Sequence, residues 1–189
     1  LPGGGPMSWR VKGPGAFPVF VAEAAGAPFT CVDGIDHVDL CLGDTGAMMG
    51  HSPGPTVDAV TRQLGRGITT MLPTEDAIAV STGLAQRFGL PFWQFTLTAT
   101  DANRHAIRYA RHLTGRSKVV VHNWCYHGSV DEAFATLGPD GSTVNRRSNI
   151  GAPVDTSETT RVVEFNNLEA LEQALSHGDV AAILVEHPR

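Results

Sequence analysis

Two short stretches hold most of the side chains that could do chemistry. The first is Leu97-Thr98-Ala99-Thr100-Asp101-Ala102-Asn103, where small hydroxylic residues stand between a run that reads as a strand and one that reads as a helix. At such a junction the first backbone N–H groups of the helix lack intrahelical partners. The helix dipole favours an anion there, and threonine hydroxyls add donors. A phosphate would be well held. The same residues also make an ordinary N-cap, with Thr98 or Thr100 capping the helix. The local sequence leaves both readings open. Neither G-x-G-x-x-G nor G-x-x-x-x-G-K-[ST] occurs to supply a glycine-rich phosphate loop instead.

The second stretch is Cys125-Tyr126-His127-Gly128, just past a valine-rich run that reads as a strand. An aromatic residue at the C-terminal edge of a parallel sheet stands where ligands bind in open α/β folds, and its ring can stack on a planar heterocycle. Packing of Tyr126 against a loop is the plainer alternative. His122, Cys125 and His127 could be read as a metal trio, but their spacing matches no standard zinc pattern and a fourth ligand is missing. No metal is expected. A third stretch, Asp44-Thr45-Gly46-Ala47-Met48-Met49-Gly50-His51, reads by itself as a solvated turn. There is no G-x-S-x-G elbow and no H-E-x-x-H helix. The only lysines are Lys12 and Lys118, and Lys118 reads as a solvated position at a strand edge.

The elements that must position these residues change character along the chain. Residues 2–6 are too rich in Gly and Pro for regular structure and read as an extended arm. Strands are expected at 19–22, 29–32 and 37–42, with Asp33-Gly34 as a turn, which makes a small antiparallel meander. Helices follow at 55–64, where Pro55 suits a helix start, and at 74–88, where Ile78, Val80, Leu84 and Ala85 mark the inner face. Beyond them come a strand at 92–97, a helix at 101–113 closed by Gly115, a strand at 118–122, and a long polar loop at 138–157. A strand at 161–164, a helix at 168–175 and a final strand at 181–186 complete the pattern. Such alternation predicts a mostly parallel sheet covered by helices. The expected division is a 1–50 arm and meander segment and a 51–189 α/β domain.

Composition narrows the function class. The chain has 189 residues, 42% of them hydrophobic, and a formal net charge of −5, which argues against nucleic acid or an anionic membrane as partner. No run reaches the ~18 apolar residues of a membrane span, and no basic start followed by an apolar stretch marks a signal peptide. Cys31, Cys41 and Cys125 suit reduced thiols better than a disulfide framework, so a cytoplasmic location is expected. The chain opens on Leu1 and closes on a strand pattern, and we expect it to be a portion of a longer protein.

Taken in order, several landmarks resemble the class III aminotransferases of fold type I, in particular the glutamate-1-semialdehyde aminomutase branch. They are Pro2-Gly3-Gly4, Val32-Asp33-Gly34, Leu40 through Gly50-His51, Pro73-Thr74-Glu75, Ala106-Ile107-Arg108-Tyr109-Ala110-Arg111, Thr114-Gly115-Arg116-Ser117-Lys118, Cys125-Tyr126-His127-Gly128 and Ile183-Leu184-Val185-Glu186. The resemblance implies a pyridoxal 5′-phosphate (PLP)-dependent transferase fold. In it, the N-terminal arm and meander precede the first part of the mostly parallel large-domain sheet.

It implies that Thr98-Ala99-Thr100 fall on the family's Ser-Gly-Thr turn for the PLP phosphate. Tyr126 falls on the aromatic that stacks on the pyridine ring, with His127 beside it. Ala99 replaces a glycine, and its Cβ is expected to crowd the phosphate. On the substrate side the resemblance implies Arg10, which keeps the arginine of a Ser-x-x-Arg motif, and the Asp44-Thr45 loop.

The Schiff-base lysine and the Asp-Glu-Val strand of the family are not matched anywhere in the 189 residues, so no catalytic residue is assigned. The implied activity is amino-group transfer, as an aminotransferase or a glutamate-1-semialdehyde aminomutase-like enzyme, on a small-molecule amino or keto acid, in a homodimer. Two alternatives stand beside it: a non-catalytic binding remnant of the fold, and an unrelated binder of phosphate esters at the Thr98 to Asn103 turn.

Overall fold

A computed structural model describes residues 18–147, 149–151 and 154–186. The chain forms two compact units, one up to Ile78 and one from Ala79. In the first, β1 (Val21–Ala24), β2 (Pro28–Cys31) and β3 (Asp36–Val38) make an antiparallel meander in that order, as the sequence predicts. Phe29 lies opposite His37, their rings stacked at 4.9 Å.

The third strand stops at Val38, well short of the expected residue 42. The Asp39 carboxylate accepts hydrogen bonds from the backbone N–H groups of Cys41 (2.9 Å) and Gly43 (2.8 Å) and pairs with His51 Nε2 at 2.8 Å. Those bonds favour a turn over a ladder. Leu42, Gly43, Asp44 and Thr45 all have positive φ, a left-handed turn closed by Thr45 N donating to the Cys41 carbonyl. Non-glycine residues pay about 1 kcal/mol or more each for that conformation, so the Asp39 clamp must hold it.

The helix α1 (Gly54–Leu64) begins at Pro53 and carries a proline in its first turn, where the missing N–H costs nothing. The helix α2 (Glu75–Phe88) has Glu75 and Asp76 in its first turn, complementing the dipole. Its expected inner face is not buried: Ile78 is 70% exposed and Val80 is 50% exposed. Periodicity specifies a face, not what covers it.

In the second unit, α3 (Ala99–Thr114) leads into β4 (Lys118–His122). A 3-10 turn (Asp131–Ala133) and a hairpin of β5 (Ala135–Leu137) and β6 (Thr143–Asn145) follow. After them come α4 (Thr156–Thr159), β7 (Thr160–Val163), α5 (Leu168–Ser176) and β8 (Val180–Leu184). The sheet order is β7-β4-β8, and both neighbours run parallel to β4.

Central placement explains the Val119-Val120-Val121 run. All three are 0% exposed, and burying each side chain contributes roughly 2 kcal/mol. Val119 and Val121 pack with Ile107, Cys125, Val130 and Val162, while Val120 packs with Val163, Ala174 and Val180. Helix α3 ends on Gly115 in the left-handed conformation (φ 68), as expected of a glycine C-cap. Arg111 ties α3 to Glu132 of the 3-10 turn at 2.7 Å.

Four expectations need correction here. Residues 92–97 form no strand, because no described strand pairs with them and their backbone groups have no ladder to join. The loop at 138–157 is not featureless, since it contains β6 and the first half of α4. Lys118 is not at a solvated edge: it opens the central strand, half-buried, and its ammonium donates to the Ser157 carbonyl at 2.7 Å. Helix α3 starts two residues before Asp101, so Thr100 lies inside it and only Thr98 can be the cap.

Candidate functional site

The C-terminal end of β4 is fixed by side chains from three directions. Asn123 Oδ1 accepts from the Thr136 hydroxyl (2.7 Å) and the Leu137 N–H (3.2 Å), while its Nδ2 donates to Glu164 Oε1 at 2.6 Å. One residue on, Trp124 takes a positive φ of 62° and the Arg146 guanidinium lies 5.8 Å from its ring centre. Arg146 Nη2 also donates to the Cys125 carbonyl at 2.9 Å. Cys125 itself is buried, and burial pushes its thiol above the ordinary cysteine range despite the nearby Arg146. It is a packing residue, not a nucleophile.

From that anchor the chain presents Tyr126 and withdraws His127. Tyr126 is 61% exposed, so its ring is not spent on packing against a loop, and its N–H donates to Glu186 Oε2 at 3.4 Å. His127 is 8% exposed and its Nε2 has no hydrogen-bond partner among the described residues. Burial moves its pKa down from the ordinary histidine value, only partly opposed by the Glu186 carboxylate. The imidazole is therefore neutral at pH 7.

Helix α3 supplies the other half. Thr98 is its N-cap: Oγ1 accepts from Asp101 N at 3.1 Å and donates to Asp101 Oδ2 at 2.8 Å. Ala102 N donates to the Thr98 carbonyl. The N–H groups of Ala99 and Thr100 thus keep no acceptor among the described residues, the condition for binding an anion at a helix start. Ala99 is the first helical residue, with no positive φ and an exposed side chain, so alanine in place of glycine strains nothing in the backbone.

The two halves meet at Thr100. Its hydroxyl accepts from the backbone N–H of Ser129 at 3.0 Å, and Asn103 Nδ2 donates to the His127 carbonyl at 3.0 Å. Gly128 lies between them with φ 76°, so close that a Cβ there would sit 2.2 Å from Thr100 Oγ1. The fold thus brings Thr98, Ala99 and Thr100 next to the segment of Tyr126 and His127. Asp44 and Thr45 belong to the first unit, exposed in the left-handed turn after β3. Arg10 lies outside the described residues.

The sequence assigns Ser129, Arg146 and Glu186 no part in this site, and Asn103 only a place at the end of the Thr98 to Asn103 turn. Only Gly128 carried a visible signal, a glycine directly after an aromatic-histidine pair, where close backbone approach is a standard reason for glycine. A groove of about 630 Å³ elsewhere in the second unit is lined by Lys118, Arg161, Glu164, Asn167, Gln173 and His177. Both of its strong cations are already engaged, Lys118 by the Ser157 carbonyl and Arg161 by Asp179. An anion there would have to displace existing bonds.

With this geometry in place, comparison with known proteins is decisive. The family model described as "Aminotransferase class-III" matches residues 11–188. The chain belongs to the class III aminotransferase family. A curated relative, the glutamate-1-semialdehyde 2,1-aminomutase of Methanocella arvoryzae, is 35% identical over 192 residues, covering 100% of this chain and 44% of the relative. A crystal structure of a glutamate-1-semialdehyde aminomutase from Pseudomonas aeruginosa PAO1 superposes with a TM-score of 0.91 at 52% identity, over 96% of this chain and 40% of that one. A lysine-to-alanine variant of that aminomutase, solved in complex with PMP (pyridoxamine phosphate), gives the same TM-score, identity and coverage. This chain therefore spans less than half the length of the class III aminotransferases it matches, and within that span it has their fold.

Proposed function

We propose that Thr98, Ala99, Thr100, Tyr126 and His127 hold PLP in a class III aminotransferase that moves amino groups between small-molecule amino and keto acids. The observation that carries this reading is the junction at Thr100. There two helix N–H groups with no acceptor among the described residues lie beside a segment that carries an exposed tyrosine ring.

The residues fit the cofactor. Ala99 N–H, Thr100 N–H and the Thr100 hydroxyl are donors for a phosphate. The ring of Tyr126 is a face for a pyridine. His127, buried and neutral with an orphaned Nε2, adds a polar group without adding charge. When bound, PLP supplies an aldehyde that condenses with amino groups and a ring that withdraws electrons from the carbon undergoing proton transfer. The protein's part is to bind the phosphate, orient the ring and keep water off one ring face. We read Arg10, Asp44 and Thr45 as the substrate side of the site, and a second copy of the chain as its partner in a homodimer.

A second reading has its own observation. Lys118 stands at the far end of β4 from Tyr126 with its ammonium bound to Ser157, so among the described residues no lysine amine serves this site. On that reading the chain binds PLP-like ligands without turnover. Equilibrium dialysis with pyridoxamine phosphate and with pyridoxamine tests the shared element, since neither carries an aldehyde that would label surface amines. The proposal predicts at least about tenfold tighter binding of the phosphorylated form, the worth of even one charge-assisted hydrogen bond. Equal binding of the two would refute it.

A further inference from the structure

Thr100 and Asn103 are three residues apart on α3, so their side chains lie on one face of the helix. Both reach the same three-residue segment. Asn103 Nδ2 saturates the His127 carbonyl and Thr100 Oγ1 saturates the Ser129 N–H, so the backbone groups flanking Gly128 both end on α3. Gly128 makes this possible, because any Cβ would meet Thr100 Oγ1 at 2.2 Å and Thr100 Cα at 3.0 Å. Tyr126 lies two residues upstream of Gly128, so its backbone enters a segment tied to the helix whose opening N–H groups are free.

Resting on the PLP reading above, we infer that Asn103 is a positioning residue. Its amide latches the 127–129 segment to α3 and couples the ring-stacking half of the site to the phosphate half. Asn103 needs no contact with the cofactor for this role. A ligand that engages both halves gains because the second contact is already oriented when the first forms. A ligand that engages only the helix start gains nothing from the latch. The preference for a ligand carrying both ring and phosphate is thus a property of the Asn103–His127 bond as well as of Tyr126.

The test measures dissociation constants for pyridoxamine phosphate and for inorganic phosphate in the wild-type chain, Asn103→Ala, Tyr126→Ala and the double variant. Asn103→Leu is included as a neutral substitution of similar shape that removes the donor. Asn103→Ala and Asn103→Leu are expected to weaken pyridoxamine phosphate roughly fivefold to tenfold, the worth of one hydrogen bond, and inorganic phosphate less than about twofold. In the Tyr126→Ala background, Asn103→Ala should add less than about twofold, because the latch acts through the ring.

Equal losses for both ligands would make Asn103 a general structural residue and overturn the inference. So would independent losses that multiply in the double variant. A wild-type chain that binds pyridoxamine phosphate no better than phosphate would overturn the PLP reading itself, a failure visible before any variant is compared. If Asn103→Ala does not fold, Asn103→Leu decides the matter alone by the same comparison of the two ligands.

Discussion

The backbone N–H of Ser129 donates to the hydroxyl of Thr100 at 3.0 Å, a contact between positions 29 residues apart. It joins the start of α3 to the loop after β4, and its geometry depends on the residue between His127 and Ser129 having no side chain. Gly128 at φ 76° has Thr100 against it, whereas Gly141 at φ 80° has nothing within 4 Å of where a Cβ would stand. Gly128→Ala and Gly141→Ala share the cost of a left-handed alanine and differ in the contact. Urea unfolding should show Gly128→Ala less stable than Gly141→Ala by at least about 1 kcal/mol, the cost of forcing an extra methyl into a packed site. Equal losses would mean that the loop shifts freely away from α3.

Thr98 is the cap and Thr100 is not. Thr98→Ala should cost about 1 kcal/mol in urea unfolding, and Thr98→Ser should recover most of it, since serine keeps the oxygen that accepts from Asp101 N. Thr100→Ser should be close to neutral by the same measurement. A larger effect at Thr100→Ser than at Thr98→Ala would reverse the assignment.

His127 gives the site a pH dependence whose sign is fixed. Burial lowers its folded-state pKa, so the unfolded chain binds the proton more readily. The associated stability is fully present above the ordinary histidine value near 6.5 and is lost as pH falls through it towards the lowered folded value. Unfolding curves at pH 7.5 and 5.5 should show a smaller pH-dependent loss in His127→Gln than in the wild type. The other histidines contribute to both proteins alike. An unchanged slope would mean that His127 is not held neutral by the fold.

Much of this was legible in the sequence, and the boundary has physical causes. The Lys118–His122 strand could be read because its Val119-Val120-Val121 run must be buried on both faces, and Gly115 marked the end of α3 because only glycine takes that conformation cheaply. The strand expected at residues 92–97 failed because β-propensity needs a partner, and the described residues supply none.

Ala99, in place of a family glycine, is expected to crowd a phosphate with its Cβ. It is harmless to the backbone, because the helix begins at that residue and φ is ordinary there. The latch was not legible at all. Thr100, Asn103, His127 and Ser129 are brought together only by the tertiary packing of α3 on the β4 loop, and no local pattern encodes a hydrogen bond across 24 residues.

The central claim is that the opening N–H groups of α3 and the ring of Tyr126 bind one ligand together. It is tested most directly by titrating pyridoxamine phosphate into the isotopically labelled chain and following amide and aromatic NMR signals. The account predicts saturable shifts at the Ala99 and Thr100 amides and at the Tyr126 ring, all with a single dissociation constant. Shifts confined to the groove around Arg161 and Lys118, or no saturable shift at Ala99 and Thr100, would contradict it.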